Sequence, residues 1–326
     1  MKPTVLSGIQ PTGPLHIGNY LGALKNFVDL QNSGEYQTFF FIADLHSLTE
    51  QFDASKKFAQ ILDIAASFLA AGLDPKLSTL FIQSQVPAHS ELAWMLSTIT
   101  PIGELSRMTQ YKDKADRTDN TAGLFTYPTL MAADIILYDT TAVPTGDDQD
   151  QHLELTRTLA RKFNSKFGET FVEPKNLHTE LPRVMSLASP EKKMSKSEPP
   201  GCLFIDDAPE IIKKKIMSAV TDSGTEIKHD HTKPGISNLL KIASALSEKT
   251  IPELETVFKI ANYSEFKAYV AQLAADYFAP MRQRKAKLLK SPEKVLKIFT
   301  AGSAKANRIA NKKMAEVKKK VGLLGQ

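Results

Sequence analysis

Across residues 1–170, short runs of apolar and β-branched residues alternate with longer stretches in which apolar positions recur every three or four places. The runs at 4–7, 38–43, 79–83 and 142–145 read as strands, and the stretches at 17–31, 53–71, 91–98, 128–138 and 150–167 as amphipathic helices. In the first helix Leu21, Leu24, Phe27, Val28 and Leu30 form the stripe; in the second Asp53 supplies an N-cap and Gly72 stands ready to end it. Strand and helix in alternation predict an α/β domain built on a parallel sheet. Beyond about residue 209 the strand signal stops, and 211–220, 236–247, 252–260, 264–289 and 292–321 all read as helices parted by Pro, Gly or Ser. This half is expected to be all-helical, joined to the first by a Pro- and charge-rich loop at 189–201. Trp94, the sole tryptophan, falls in the helix 91–98 and is expected in the core.

Composition adds charge asymmetry to this picture. The chain has 326 residues, enough for about two domains, with 42% apolar and 24% charged residues. Residues 281–326 hold fourteen Lys or Arg, headed by Arg282, Arg284 and Lys285, against two Glu, so the net +5 is a tail of +12 on a body of −7. Such a tail fits either a polyanionic partner or a solvated helix face. The single Cys202 excludes an intrachain disulfide, and without a Cys-x-x-Cys pair neither zinc nor an iron–sulfur cluster is expected. A start without a long apolar run and the lack of any bilayer-length apolar stretch predict a cytoplasmic protein with no membrane partner.

Two segments carry candidate chemistry. Gly8-Ile9-Gln10-Pro11-Thr12-Gly13 runs from the first strand toward His16-Ile17-Gly18-Asn19 at a helix start, a turn where backbone N–H groups can meet a phosphate. It lacks the Gly-x-Gly-x-x-Gly spacing, and alone it fits an ordinary capped turn as well as a nucleotide site. Lys193-Met194-Ser195-Lys196-Ser197 sets ammonium groups beside hydroxyls, suited to a polyphosphate, although a lone charge run is more often a solvated linker.

The pairing of the two, about 175 residues apart, resembles the signature sequences of the class I aminoacyl-tRNA synthetases. Thr126-Tyr127-Pro128-Thr129-Leu130-Met131-Ala132-Ala133-Asp134, Gly146-Asp147-Asp148-Gln149-Asp150-Gln151-His152, Phe81-Ile82-Gln83-Ser84 and Lys233-Pro234-Gly235-Ile236-Ser237-Asn238 are similar to the bacterial tryptophanyl branch, in order over nearly the whole chain. His16 and Thr12 depart from the branch's commoner Thr and Ser.

The resemblance implies a Rossmann-like, doubly wound parallel sheet in a catalytic domain at 1–190, a loop and linker at 191–206, and a helical tRNA anticodon-binding domain at 207–326 whose last helix packs back on the catalytic domain. It implies ATP binding by Gln10, Pro11, Thr12, Gly18, Asn19, Gly146, Asp147, Asp148, Val184, Lys193, Met194, Ser195, Lys196 and Ser197. His16, Asn19, Lys114, Lys193, Ser195 and Lys196 are the implied catalytic groups. For tryptophan it implies Leu6, Gly8, His46, Tyr127, Met131, Asp134, Val143 and Gln149. Asp134 would accept the indole N–H, since indole is a donor only; His46 fits that pocket and a satisfied core position equally. Mg²⁺ would ride on ATP oxygens, with no resident metal. The implied partners are tRNA(Trp), L-tryptophan, ATP and a second copy in a homodimer. His229-Asp230-His231 reads as a polar loop. The rivals are a tyrosyl enzyme, a non-catalytic RNA-binding protein on the same scaffold, and a nucleotidyltransferase without tRNA.

Overall fold

The computed structural model describes residues 2–109, 121–146, 149–178 and 183–324. The chain forms two compact units: Met1–Thr12, Phe27–Thr179 and Ser291–Gln326 make one, Gly13–Asn26 and Glu180–Lys290 the other. Its described helices, in chain order, are α1 (Ile17–Asn19), which a π turn at Tyr20–Leu24 continues into α2 (Lys25–Ser33), then α3 (Ala54–Ala71), α4 (Ala88–Ser97), α5 (Ile102–Ser106), α6 (Ala122–Ile136), α7 (Asp150–Phe167), α8 (Pro209–Met217), α9 (Pro234–Leu246), α10 (Ile251–Val257), α11 (Tyr263–Leu289) and α12 (Pro292–Lys320).

In the first unit β1 (Thr4–Ile9), β2 (Gln37–Ile42), β3 (Thr79–Ile82), β4 (Ala142–Thr145) and β5 (Lys175–His178) form one sheet in the order β3-β2-β1-β4-β5, every pair parallel. The chain moves outward from β1 to β3 and returns to place β4 beside β1. This is the expected doubly wound α/β arrangement, with its switch point between β1 and β4, where the strand order reverses. Phe39, Phe40, Phe41 and Ile42 are buried, which is why β2 reads as an unbroken apolar run. The sequence pattern missed β5. As an edge strand, Lys-Asn-Leu-His joins β4 through backbone pairing, Ala142 opposite Lys175, and needs no apolar face to do so.

Local signals place α3 end to end: Asp53 accepts the Ser55 N–H, and Gly72 ends the helix in the left-handed region at φ 115°. The short α5 was not foreseen, and Pro128 lies inside α6 rather than opening it, because Thr121 caps the helix by accepting the Leu124 N–H. Trp94 corrects an expectation. On α4 the buried stripe is Ala88, His89, Leu92 and Leu96, which leaves Trp94 on the opposite side and 73% exposed. The last helix, α12, belongs to the first unit and lies along β3. A Cβ at Gly302 would stand 1.8 Å from the Leu80 carbonyl oxygen, and Ser303 Oγ accepts the Ile82 N–H at 3.2 Å.

In the second unit, residues 15–17 pair with 203–205: Ile17 N–H donates to Leu203 O and Ile205 N–H to Leu15 O, around the His16–Phe204 bridge. Lys285, counted above in the basic tail, is only 3% exposed and paired with Asp206 at 2.5 Å, so it does not contribute to a cationic surface. No described helix is long and apolar enough to cross a membrane.

Candidate active site

Asp134, on α6 in the first unit, is 1% exposed. Its Oδ1 accepts from His89 Nδ1 at 2.5 Å and its Oδ2 from His46 Nε2 at 2.7 Å, while Gln83 Nε2 lies 2.9 Å from both oxygens. Burial would raise its pKa, but the His89 and His46 rings outweigh this and hold the carboxyl at about 2. Behind it, His89 Nε2 lies 2.8 Å from the Tyr138 hydroxyl, so that both ring nitrogens are engaged. Burial, then the Asp134 charge, push the Tyr138 phenol well above its usual range and keep it protonated. The result is a buried, ionised carboxylate, an acceptor only, each of whose oxygens accepts from a histidine and from Gln83.

His46 and Gln83 come from the ends of the neighbouring strands β2 and β3, and His89 from α4. Asp44, just past β2, accepts from the N–H groups of Leu45 and Ser84 and from the Ser84 hydroxyl, tying the turn that carries His46 to the turn that follows Gln83. Gln83 Oε1 also accepts the Leu45 N–H. Tyr127, one helical face along α6, directs its hydroxyl to His152 Nε2 at 2.8 Å and stacks edge-on to His46; burial raises its pKa to about 12. Leu6 and Val143 are buried in the same apolar cluster as Phe41 and Phe81, with Met131 packed against it, and Gly8 pairs with Phe41 in the sheet. Gln149 stands at the N-terminal boundary of α7, its N–H donating to Gly146 O at 2.9 Å. Gln83, His89 and Tyr138 had no role in the sequence reading. Gln83 was visible as an amide ending an apolar strand; nothing local marked His89 or Tyr138.

The second unit collects the phosphate candidates. His16 caps α1: its Nδ1 accepts the Asn19 N–H at 3.2 Å and Asn19 Oδ1 accepts the His16 N–H at 3.3 Å. Burial first, then the Lys196 and Lys193 charges, lower its pKa to about 4. The ring is therefore neutral at pH 7, and with Nδ1 accepting, the proton sits on Nε2 as a directed donor. Gly18 makes room for it, since a Cβ there would meet the His16 ring at 2.9 Å and Val184 at 3.6 Å.

The Lys-Met-Ser-Lys-Ser loop is anchored from within. Met194 is 3% exposed, its N–H bonds Val184 O, Met185 pairs with Lys193, and Asn238 of α9 holds both backbone groups of Met185 at 2.9 Å. Lys193, Ser195 and Ser197 are left exposed, while Lys196 Nζ donates to Gly13 O at 3.1 Å. Met194 is thus the buried anchor of the loop.

Gln10, Pro11 and Thr12 follow β1, and Gly146 follows β4, in the first unit. Lys114, Asp147 and Asp148 lie outside the described residues. Among the described residues no group of three or more His, Cys, Asp or Glu could hold a metal ion. Burial raises the Cys202 thiol to about 11, so it is not a nucleophile at neutral pH.

Residues 1–279 match the family profile described as tRNA synthetases class I (W and Y). The chain is 47% identical over 324 residues to the tryptophan–tRNA ligase of Bacillus anthracis, covering 98% of each, and 46% identical over 331 residues to that of Bacillus subtilis, covering 99% and 98%. Its structure is similar to tryptophanyl-tRNA synthetase from Mycoplasma pneumoniae, with a TM-score of 0.90, 36% identity and coverage of 100% and 99%. It is also similar to the Campylobacter jejuni enzyme complexed with ADP and tryptophan, with a TM-score of 0.85, 40% identity and coverage of 98% and 99%. With Asp134, His16 and the 193–197 loop arranged as described, the chain belongs to the class I aminoacyl-tRNA synthetases, in their bacterial tryptophanyl branch.

Proposed function

We propose that this chain divides the work of a tryptophan–tRNA ligase between side-chain selection at Asp134 and charge stabilisation by His16 and the 193–197 loop. The activity follows from the family. A tryptophan carboxylate oxygen bonds to the α-phosphorus of ATP as the bond to pyrophosphate breaks, giving tryptophanyl-adenylate. A ribose hydroxyl at the 3′ end of tRNA(Trp) then takes the acyl group, releasing AMP and a proton. Neither step needs a protein nucleophile, so alignment and electrostatics supply the catalysis.

The observation that supports the reading is the buried, ionised Asp134 carboxylate held by His46, Gln83 and His89. It accepts the indole N–H, and Leu6, Gly8, Met131 and Val143 surround the ring. Tyr127, Gln149 and His46 complete the amino-acid site. Gln10, Pro11, Thr12, Gly18, Asn19, Gly146, Asp147, Asp148 and Val184 frame the nucleotide. The His16 Nε2–H, Lys193, Ser195, Lys196, Ser197 and Lys114 act on phosphate oxygens, where charge grows as pyrophosphate leaves. Mg²⁺ comes bound to ATP, with phosphate and water oxygens as its usual ligands.

The remaining assignments are a cytoplasmic location, tRNA anticodon recognition by helices beyond residue 207, and a homodimer. Trp94 and Ile102, each 73% exposed on successive helices, support an apolar contact between copies. The deciding assay is amino-acid-dependent exchange of labelled pyrophosphate into ATP. Exchange with tryptophan and none with tyrosine is expected; the reverse would refute the substrate, and no exchange with any amino acid would refute the enzyme.

A further inference from the structure

The charge on α12 is sorted by direction. Lys294, Lys297, Lys305, Arg308, Lys312 and Lys319 are all exposed and have no ion-pair partner among the described residues. The helix's other late lysines are engaged: Lys313 with Asp139 and Glu316, Lys318 with Glu91, Lys320 with Glu316. At about 100° per residue, the six unpaired cations fall within an arc of about 80°, along a rise of about 38 Å. The buried side chains Val295, Phe299, Ala306, Ala310, Met314 and Val317 centre almost opposite. Both acidic residues of the helix, Glu293 and Glu316, fall outside the cationic arc.

We propose that this cationic rail is a docking surface for the sugar–phosphate backbone of the tRNA substrate, independent of its base sequence. The proposal rests on the ligase reading for the identity of the RNA. A line of single positive charges spaced along one helix matches a linear polyanion better than a compact acidic patch, and clustered Lys and Arg bind phosphates by releasing their counterions. An amphipathic membrane contact would need an apolar face turned outward, whereas the apolar face of α12 is spent on β3 and the cationic arc carries no apolar side chain larger than Ala301 and Ala315. The rail specifies no base: it contributes attraction and register, and recognition lies elsewhere.

The test uses the full chain carrying Lys305→Ala, Arg308→Ala and Lys312→Ala together. Pyrophosphate exchange without tRNA should stay within about twofold of wild type, because these residues take no part in adenylate formation. The KM for tRNA in aminoacylation should rise about tenfold or more at low salt. The slope of log(kcat/KM) against log salt should flatten by about one for each contact removed, and cognate and non-cognate tRNA should lose binding by equal factors. An unchanged tRNA KM and salt slope with intact exchange would overturn the proposal, as would loss confined to cognate tRNA. Wild-type binding to phosphatidylglycerol vesicles that the triple change abolishes, with tRNA unaffected, would overturn it in favour of a lipid surface. If the triple variant also loses exchange, the single changes Arg308→Ala and Lys312→Ala decide: each should flatten the slope by about one, and no change in either refutes the rail. Failure of the wild type to exchange with tryptophan would instead count against the ligase reading, and tRNA filter binding would still report on the rail.

Discussion

Gly302→Ala sets two known effects against each other on one helix. Alanine is favoured over glycine inside a helix by about 1 kcal/mol, so on propensity alone the variant would be more stable. The structure predicts the opposite sign. The new Cβ would lie 1.8 Å from the Leu80 carbonyl oxygen and 2.8 Å from its carbon, both backbone atoms of β3 that no rotamer can move. A carbon–oxygen contact needs about 3.3 Å or more, so α12 must retreat from the sheet by about 1.5 Å. A gap of that size removes much of the dispersion attraction of Phe299, Val295 and Ala306. With about 1.5–3 kcal/mol for each large buried side chain, the partial loss comes to about 2–4 kcal/mol. The Ser303–Ile82 hydrogen bond adds about 1 kcal/mol. Net of the propensity gain, the variant should be destabilised by about 2–4 kcal/mol. Urea unfolding at 25 °C and neutral pH, followed by circular dichroism, would show a lower midpoint. A midpoint equal to or above wild type would refute the claim that backbone contact, rather than helix propensity, governs this position.

Further outcomes follow from the titrating groups and the loop. Because the folded pKa of His16 lies near 4 and its unfolded value near 6.5, protonation favours the unfolded chain; this contribution to stability is complete above pH 6.5 and falls by about 3 kcal/mol as pH drops to 4. His16→Asn, which keeps a capping acceptor, should flatten that decline in denaturation midpoints compared at pH 7 and 4.5; an equally steep decline would contradict the assignment. Lys196→Ala should slow adenylate formation about 100-fold while tryptophan affinity stays within about threefold, as expected of a group that acts on transition-state charge; rapid-quench kinetics with equilibrium dialysis would expose an equal loss of both as contrary evidence. Asp206→Ala removes one charge partner of the buried Lys285 ammonium and should cost up to about 3 kcal/mol, whereas Lys285→Met should cost less. Thermal unfolding of the pair would show whether the ranking is reversed.

Local and non-local information separate cleanly along this chain. The limits of α3, α7 and β4 could be read from the sequence because a capping aspartate, a helical stripe, a terminal glycine or a short β-rich run acts within a few residues. Pro128 misled because a cap seven residues earlier, at Thr121, outweighed one missing N–H. Trp94 misled because helical phase, rather than hydrophobicity, chooses the buried face. The donors of Asp134 were beyond local reasoning altogether, since His46, Gln83 and His89 lie 88, 51 and 45 residues from it.

What the sequence determined by itself was the alternation that makes a parallel sheet, the helical second half, and two signature segments whose order named the chemistry. Only the tertiary structure decided protonation and direction. His16 becomes a neutral donor because burial and two lysines surround it, and Asp134 stays ionised because three distant donors converge on it. Within the basic tail Lys285 is buried and paired, and on α12 the cations divide between surface pairs and an exposed rail, because net charge records composition while the packing of α12 against β3 fixes which of its cations face solvent.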